Sequence, residues 1–361
     1  MLSGVGLFFL LSVLYGLMLL KSVIKPDKTN VLMIMLYSDD MTAQVGQRLG
    51  KRFEGQLWPE LPLMEGEAVL EAPVERNDLT RRCTEAAVDF IESHQEEPFF
   101  LYFAQPMPGS TSQPFSSPEF GGRSKNGAWG DAIEEIDWST GVILDKLVEL
   151  GIHERTLVIW TSDNGAPLAK DPSQLSRGSN QPLSGRGYST AEGGFRVPTL
   201  MWWPGHVTQG ETCEELATTL DLLPTFVHLA GGKLETHLPI DGMNIHELVT
   251  GPAGAKSPRE VFYFYEGAQL QAVRRGAWKL FVPLKTFERH PHFTQGQDNP
   301  PVLFHLYEDP SSRIDRAQGH PKIVEQLLQD AEVARKELGD LDRPGVGQRQ
   351  RGFVGQVQSV E

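Results

Sequence analysis

Thr156-Leu157-Val158-Ile159-Trp160-Thr161-Ser162-Asp163-Asn164-Gly165 is the stretch on which the architecture turns. Residues 156–160 form an unbroken run of apolar and β-branched side chains, short and without polar alternation, the pattern of a strand buried on both faces. The run ends in a carboxylate, a carboxamide and a glycine. Taken alone, Asp-Asn-Gly suits a turn. At the carboxyl end of a buried strand it also supplies oxygen donors for a hard cation, where open α/β sheets build their sites.

Working outward, the same pattern recurs in Asn30-Val31-Leu32-Met33-Ile34-Met35-Leu36, in Phe99-Phe100-Leu101-Tyr102-Phe103 and in Thr199-Leu200-Met201-Trp202-Trp203. Between these runs lie helical patterns. Residues 78–93 place Leu79, Cys83, Ala86, Ala87 and Phe90 on one face, and 132–150 turn Ile133, Ile136, Ile143, Leu144 and Leu147 inward. Alternating strands and helices predict an α/β fold with a mostly parallel central sheet covered by helices. Residues 166–194, dense in Gly, Ser, Pro and Asn, read as a long loop of the kind that carries sites.

A composition shift at 251–258 marks a linker, followed by hairpin-like pieces at 261–265 and 278–282 and a helix over 323–338. The expected organisation is an apolar signal or membrane anchor over 1–28, an α/β domain over 29–250 and a small C-terminal α+β subdomain over 251–340. The tail at 341–361, rich in Gly, Gln and Arg, is expected to be disordered.

Of 361 residues, 40% are hydrophobic and 22% charged, which suits a globular chain. A net charge of −14 excludes wrapping of nucleic acid, because phosphate neutralisation needs clustered Lys and Arg. Two cysteines, Cys83 and Cys213, cannot supply a disulfide framework. The uncharged run 2–20 is long enough to cross a bilayer as a helix. It has no preceding Lys or Arg and no A-x-A site, and Lys21, Lys25 and Lys28 follow it. An uncleaved anchor and a cleaved signal are both open; by the positive-inside tendency the lysines after the run would hold the following domain in the cytoplasm, and the expected localisation is the secretory pathway, periplasmic or extracellular, or membrane-anchored.

Four further stretches stand in a fixed order. They are Gly130-Asp131-Ala132-Ile133-Glu134-Glu135-Ile136-Asp137-Trp138, then Gly185-Arg186-Gly187 through Glu192-Gly193-Gly194-Phe195-Arg196-Val197-Pro198 to Trp203-Pro204-Gly205, then Leu220-Asp221-Leu222-Leu223-Pro224-Thr225, and Ala272-Val273-Arg274 through Trp278-Lys279. Together they resemble the arylsulfatases of the sulfatase family, within the alkaline phosphatase superfamily. The resemblance implies an alkaline-phosphatase-like fold, metal-assisted hydrolysis of a sulfate ester or sulfated glycan, and one divalent cation, calcium or magnesium. Family members hold that cation with two Asp residues after the first strand and an Asp-Asn pair later. Asp163 and Asn164 match the later pair. Asp39 and Asp40 are the candidates for the first, although Leu36 and Tyr37 lengthen the spacing and Tyr37-Ser38-Asp39-Asp40-Met41 resembles a segment found later in the family. This pattern implies an internal truncation near 36–37. An offset of two residues preserves strand facing, which keeps Asp39 and Asp40 in the ligand set.

The family's nucleophile sits in a Cys-x-Pro-x-Arg type motif, which this sequence lacks. Cys83 reads as a core residue, and Cys213 as a structural residue before a helix starting at Glu214. Where the family carries a His that assists the leaving alcohol, the run is Met107-Pro108-Gly109. Gly187 stands at the position of a sulfate-binding Lys, with Arg186 one place earlier as the substrate-binding candidate. His290 and His292, flanking Pro291, read as loop residues. No catalytic residue is assigned, and the expectation is a catalytically impaired pseudoenzyme. The alternative is a membrane-anchored, non-catalytic binder of sulfated or anionic glycans.

Overall fold

The computed structural model describes residues 30–36, 62–66, 68–109, 114–169, 177–234, 239–341 and 343–349. Asp39, Asp40 and the apolar run 2–20 lie outside the described residues. No helix among the described residues is long and apolar enough to cross a membrane.

In chain order the first part comprises β1 (Asn30–Leu36), a hairpin of β2 (Leu63–Glu65) and β3 (Ala68–Glu71), α1 (Leu79–Ser93), β4 (Phe100–Gln105), α2 (Gly127–Glu149), β5 (Thr156–Ser162), α3 (Glu192–Phe195), β6 (Thr199–Trp202), α4 (Leu222–Leu229) and α5 (His246–Thr250). The four apolar runs form one sheet in the order β4-β1-β5-β6. β1 is parallel to β4 and to β5, whereas β6 runs antiparallel to β5. The sheet is therefore mixed, with its parallel part at β4, β1 and β5. An edge strand reached by a returning loop can pair in either direction, and apolar patterning carries no sign of direction.

Alternation along the strands divides the core in two. Val31, Leu157 and Ile159 face Trp203, Phe226, Val227 and Val249, while Leu32 and Val158 face Ala87, Ile91, Ile143 and Leu147 of α1 and α2. The period of two sends successive side chains to opposite faces, and both faces here are covered. Asn30 locks the start of the sheet: fully buried, it donates from Nδ2 to Thr156 Oγ1 at 3.3 Å and accepts the Phe99 N–H at Oδ1 at 3.1 Å. Thr161 and Thr199 share a hydroxyl hydrogen bond of 2.9 Å that fixes β6 against β5.

α2 begins at Gly127, five residues before the expected 132. Two glycines in the first turn hide the helix from a periodicity reading. Gly130 is needed because a Cβ there would overlap the Ser124 side chain. Asp131 accepts the Gly122 and Ser124 N–H groups at 2.9 and 2.7 Å, tying the preceding loop to the helix.

The C-terminal part is a four-stranded antiparallel sheet in the order β10-β9-β8-β7, built from β7 (Val261–Glu266), β8 (Gln269–Arg275), β9 (Trp278–Phe281) and β10 (Val302–His305). α6 (Pro321–Glu337) packs Leu327, Ala331 and Ala334 on Leu270, Val273, Leu280 and Leu303, and Phe264, Ala272, Phe281 and Phe304 form a second cluster. The expectation of a disordered tail from 341 is corrected over 343–349. There β12 (Arg343–Pro344) pairs with β11 (Gly339–Asp340), and Arg335 donates to Asp340 at 2.8 Å. A short backbone pairing and an ion pair order polar residues that composition alone marks as loose. Residues 350–361 lie outside the described residues.

Candidate active site

Asp163 and Asn164 follow β5 directly, at its carboxyl end. The Asn164 backbone N–H and its Nδ2 both donate to Asp163 Oδ1, at 2.8 and 2.6 Å, and Ser162 Oγ donates to the Asn164 carbonyl at 3.1 Å. The two side chains thus form one unit. Loop 185–194 folds onto this unit through Gly187 N–H to Gly165 O and Gly165 N–H to Gly194 O, both 3.1 Å. The approach is close enough to require glycine. A Cβ on Gly165 would overlap the Gly193 carbonyl, and one on Gly187 would lie 2.5 Å from Asn164 Oδ1.

Asn180 completes the loop's frame. Its Oδ1 accepts the Ala166 N–H at 2.8 Å, and its Nδ2 donates to the Ala166 and Gly185 carbonyls at 2.8 and 3.0 Å. An Asn in a Gly-Ser-Pro-rich loop reads only as a turn former, which is why the sequence does not reveal this role. Tyr188 is held at φ 64°, an uncommon conformation for a non-glycine residue; the residue is 68% exposed, and the Arg289 guanidinium lies 5.9 Å from its ring centre.

Asp163, Asn164, Tyr188, Ser189, Arg196 and Arg289 lie along one wide cleft between the sheet and the C-terminal part. Asp163 keeps contact with solvent at the cleft wall, yet the crowding around it matters. Burial raises its carboxyl above the usual range, against the opposing hydrogen bonds from Asn164. No Lys or Arg among the described residues pairs with it. A solvent-accessible carboxylate beside a carboxamide oxygen, without a basic partner among the described residues, fits part of the oxygen shell of a hard cation. The described residues hold no group of three His, Cys, Asp or Glu that could complete one.

The other sequence candidates fall elsewhere. Arg186 is exposed and does not line the cleft, whereas Arg196 does, together with Tyr188 and Arg289, which the sequence reading did not select. Their approach depends on loop geometry that no spacing encodes. Gly109 follows Met107, which is buried among Ala132, Ile136 and Phe115. Cys83 is half-buried against the core, and burial pushes its thiol up, the opposite of an activated nucleophile. Cys213 is exposed, and no helix begins at Glu214; Glu215 instead receives Lys256 Nζ at 2.8 Å and the Ser257 N–H at 3.0 Å. His290 and His292 are half-buried around Phe281, and burial lowers them to about 3 and about 4.

Four residues of the family-like motifs, Asp221, Lys279, Arg274 and Glu192, are structural. Asp221 is fully buried; it takes the Arg259 guanidinium, the Thr218 N–H at 2.8 Å and the Met243 N–H at 2.8 Å. Lys279, also fully buried, donates to Glu192 Oε1 at 2.8 Å and the Thr190 carbonyl at 2.7 Å, and its ammonium sits 3.4 Å from the Phe264 ring centre. Arg274 Nη1 reaches Glu192 Oε2 at 3.5 Å. Burial alone would raise the Glu192 carboxyl, but the Lys279 charge and hydrogen bond outweigh it and hold the carboxyl below its usual range. Burial also presses the Lys279 ammonium toward its neutral form. We assign the pair as ionised because Glu192, Thr190 and the Phe264 ring face occupy all three ammonium directions.

Comparison with known proteins agrees with this arrangement. The Sulfatase profile matches residues 34–232, and the profile for the C-terminal region of aryl-sulfatase matches 257–344. N-acetylgalactosamine-6-sulfatase of Mus musculus is 35% identical over 321 residues, covering 80% of this chain and 60% of the relative. Steryl-sulfatase of Rattus norvegicus is 34% identical over 295 residues, covering 76% and 49%. The crystal structure of the PsFucS1 sulfatase from Pseudoalteromonas sp. superposes with a TM-score of 0.70 at 21% identity, over 88% of this chain and 71% of that one, a likeness of fold. The fold is alkaline-phosphatase-like, and the chain belongs to the sulfatase family. It spans about half to three fifths of the length of these curated relatives.

Proposed function

We propose that this chain holds a divalent cation, calcium or magnesium, through Asp163 and Asn164 and binds a sulfate ester or sulfated glycan beside it, with hydrolysis impaired. The observation that carries the reading is the hydrogen-bonded Asp163–Asn164 unit at the carboxyl end of β5, facing a cleft that the glycine-rich loop helps to shape. In this reading Asp39 and Asp40 supply the remaining acidic ligands. A cation there would polarise a sulfate oxygen and offset the charge that develops as the S–O bond breaks.

Impairment is supported by the chain's chemistry. The sequence has no Cys-x-Pro-x-Arg motif, and both Gly109 and Gly187 lack a side chain that could move a proton or grip sulfate. The reading places the protein in the secretory pathway, through 2–20 as signal or anchor. Calcium titration of wild type against Asp163→Ala tests the cation: the wild-type Tm should rise with calcium and the variant's should not. Identical melting curves would remove the metal site. Turnover of an aryl sulfate that Asp163→Ala abolishes would overturn the impairment.

A further inference from the structure

We propose that Lys279 and Gln271, on the C-terminal sheet, are positioning residues that set the site loop against Asn164. The inference rests on the cation reading above for its functional meaning, but its geometry stands without it. Loop 185–194 is held at two sides. On one side Gly187 and Gly194 contact the turn that carries Asn164, through the 3.1 Å bonds to Gly165. On the other, Thr190 and Glu192 are gripped from the C-terminal sheet: Lys279 takes the Thr190 carbonyl and Glu192 Oε1, and Thr190 Oγ1 donates to Gln271 Oε1 at 2.7 Å. Gln271 is itself oriented by donating from Nε2 to the Arg289 carbonyl at 2.6 Å.

Only two residues, Tyr188 and Ser189, separate Gly187 from Thr190, and Tyr188 is already in an uncommon backbone conformation. A segment this short and conformationally constrained transmits a displacement at Thr190 to Gly187. Gly187 has no slack, because its Cα faces Asn164 Oδ1 at a spacing that excludes a methyl group. Lys279 therefore acts on Asn164 through the loop, and the orientation of the carboxamide oxygen toward a cation depends on the C-terminal sheet. A charged residue fully buried on a β-strand is uncommon and costly unless its partners are fixed, and here all of them belong to the loop or to the same sheet.

The test compares Lys279→Met and the milder Thr190→Val with Arg275→Met. Arg275 lies on the same sheet and pairs with Asp330 of α6, away from the loop. Hydrogen exchange of the full chain should become about tenfold faster or more across 184–194 in Lys279→Met, and faster by less in Thr190→Val, with Arg275→Met unchanged there. The calcium-dependent rise in Tm should be lost in Lys279→Met and kept in Arg275→Met. Unaltered exchange across 184–194 in both loop variants overturns the proposal, as does equal loosening in Arg275→Met. Exchange that responds as expected in a wild type showing no calcium shift upholds the positioning role and removes only the cation reading. Should Lys279→Met fail to fold, Thr190→Val alone decides, because it deletes one hydroxyl contact and leaves the charge pair intact.

Discussion

The resemblance aligns Gly187 with a sulfate-binding Lys of the sulfatases, and the backbone there leaves no room for a side chain. A side chain at 187 would start 2.5 Å from Asn164 Oδ1 and 3.0 Å from the Gly165 carbonyl. Gly187→Lys is therefore expected to lower Tm and weaken calcium binding rather than restore a sulfate grip; melting with and without calcium checks it. Asp163 gives a prediction of opposite sign for stability. Its carboxyl is raised by burial, so the folded state binds that proton more tightly than the unfolded chain does. The resulting penalty is absent below the ordinary Asp range, near about 3.9, develops as pH climbs through the raised value, and is fully present above it. Asp163→Asn should therefore raise the metal-free Tm at neutral pH while abolishing the calcium-dependent rise. A lower metal-free Tm would contradict the raised carboxyl.

Helix α2 shows how unequal the contributions along one element are. Ile143 is fully buried between α2 and the sheet, so Ile143→Ala should cost about 2–5 kcal/mol in denaturant unfolding. Lys146, three residues on, pairs with Glu92 and Glu149 at 2.8 Å each at the solvent boundary, and Lys146→Ala should cost no more than about 1 kcal/mol. The strands were legible because β1, β4 and β5 are apolar runs without polar alternation, and β5 with residues 30–33 of β1 is buried on both faces. The Asp163–Asn164 position followed from the end of such a run. What periodicity could not show was the direction of β6, the glycine-bearing first turn of α2, and the burial of Lys279. A charged residue on a strand reads as solvent-facing unless its partner is known, and that partner, Glu192, lies on another element 87 residues earlier. Motif resemblance found Glu192, Asp221, Arg274 and Lys279 as members of a set without saying that they hold the set together.

At the scale of the whole molecule, the two parts are joined by buried charge rather than by apolar contact alone. Asp221, before α4, accepts from Arg259, which follows the linker, and from the backbone at Thr218 and Met243. Asp221→Ala leaves the Arg259 guanidinium buried without its carboxylate and should cost about 3–5 kcal/mol, read as a lower unfolding midpoint. Asp221→Asn, which keeps the shape and some acceptors, should cost less. The Glu192–Lys279 pair also orders events in time. During synthesis at roughly 5–20 residues per second, Glu192 leaves the peptidyl-transferase centre some 4–17 s before Lys279 is added. Through that interval the nascent chain carries a loop with an unmatched carboxylate and an apolar strand on either side of it. The protein's exposure to misassembly is thus concentrated in the seconds before the C-terminal sheet arrives.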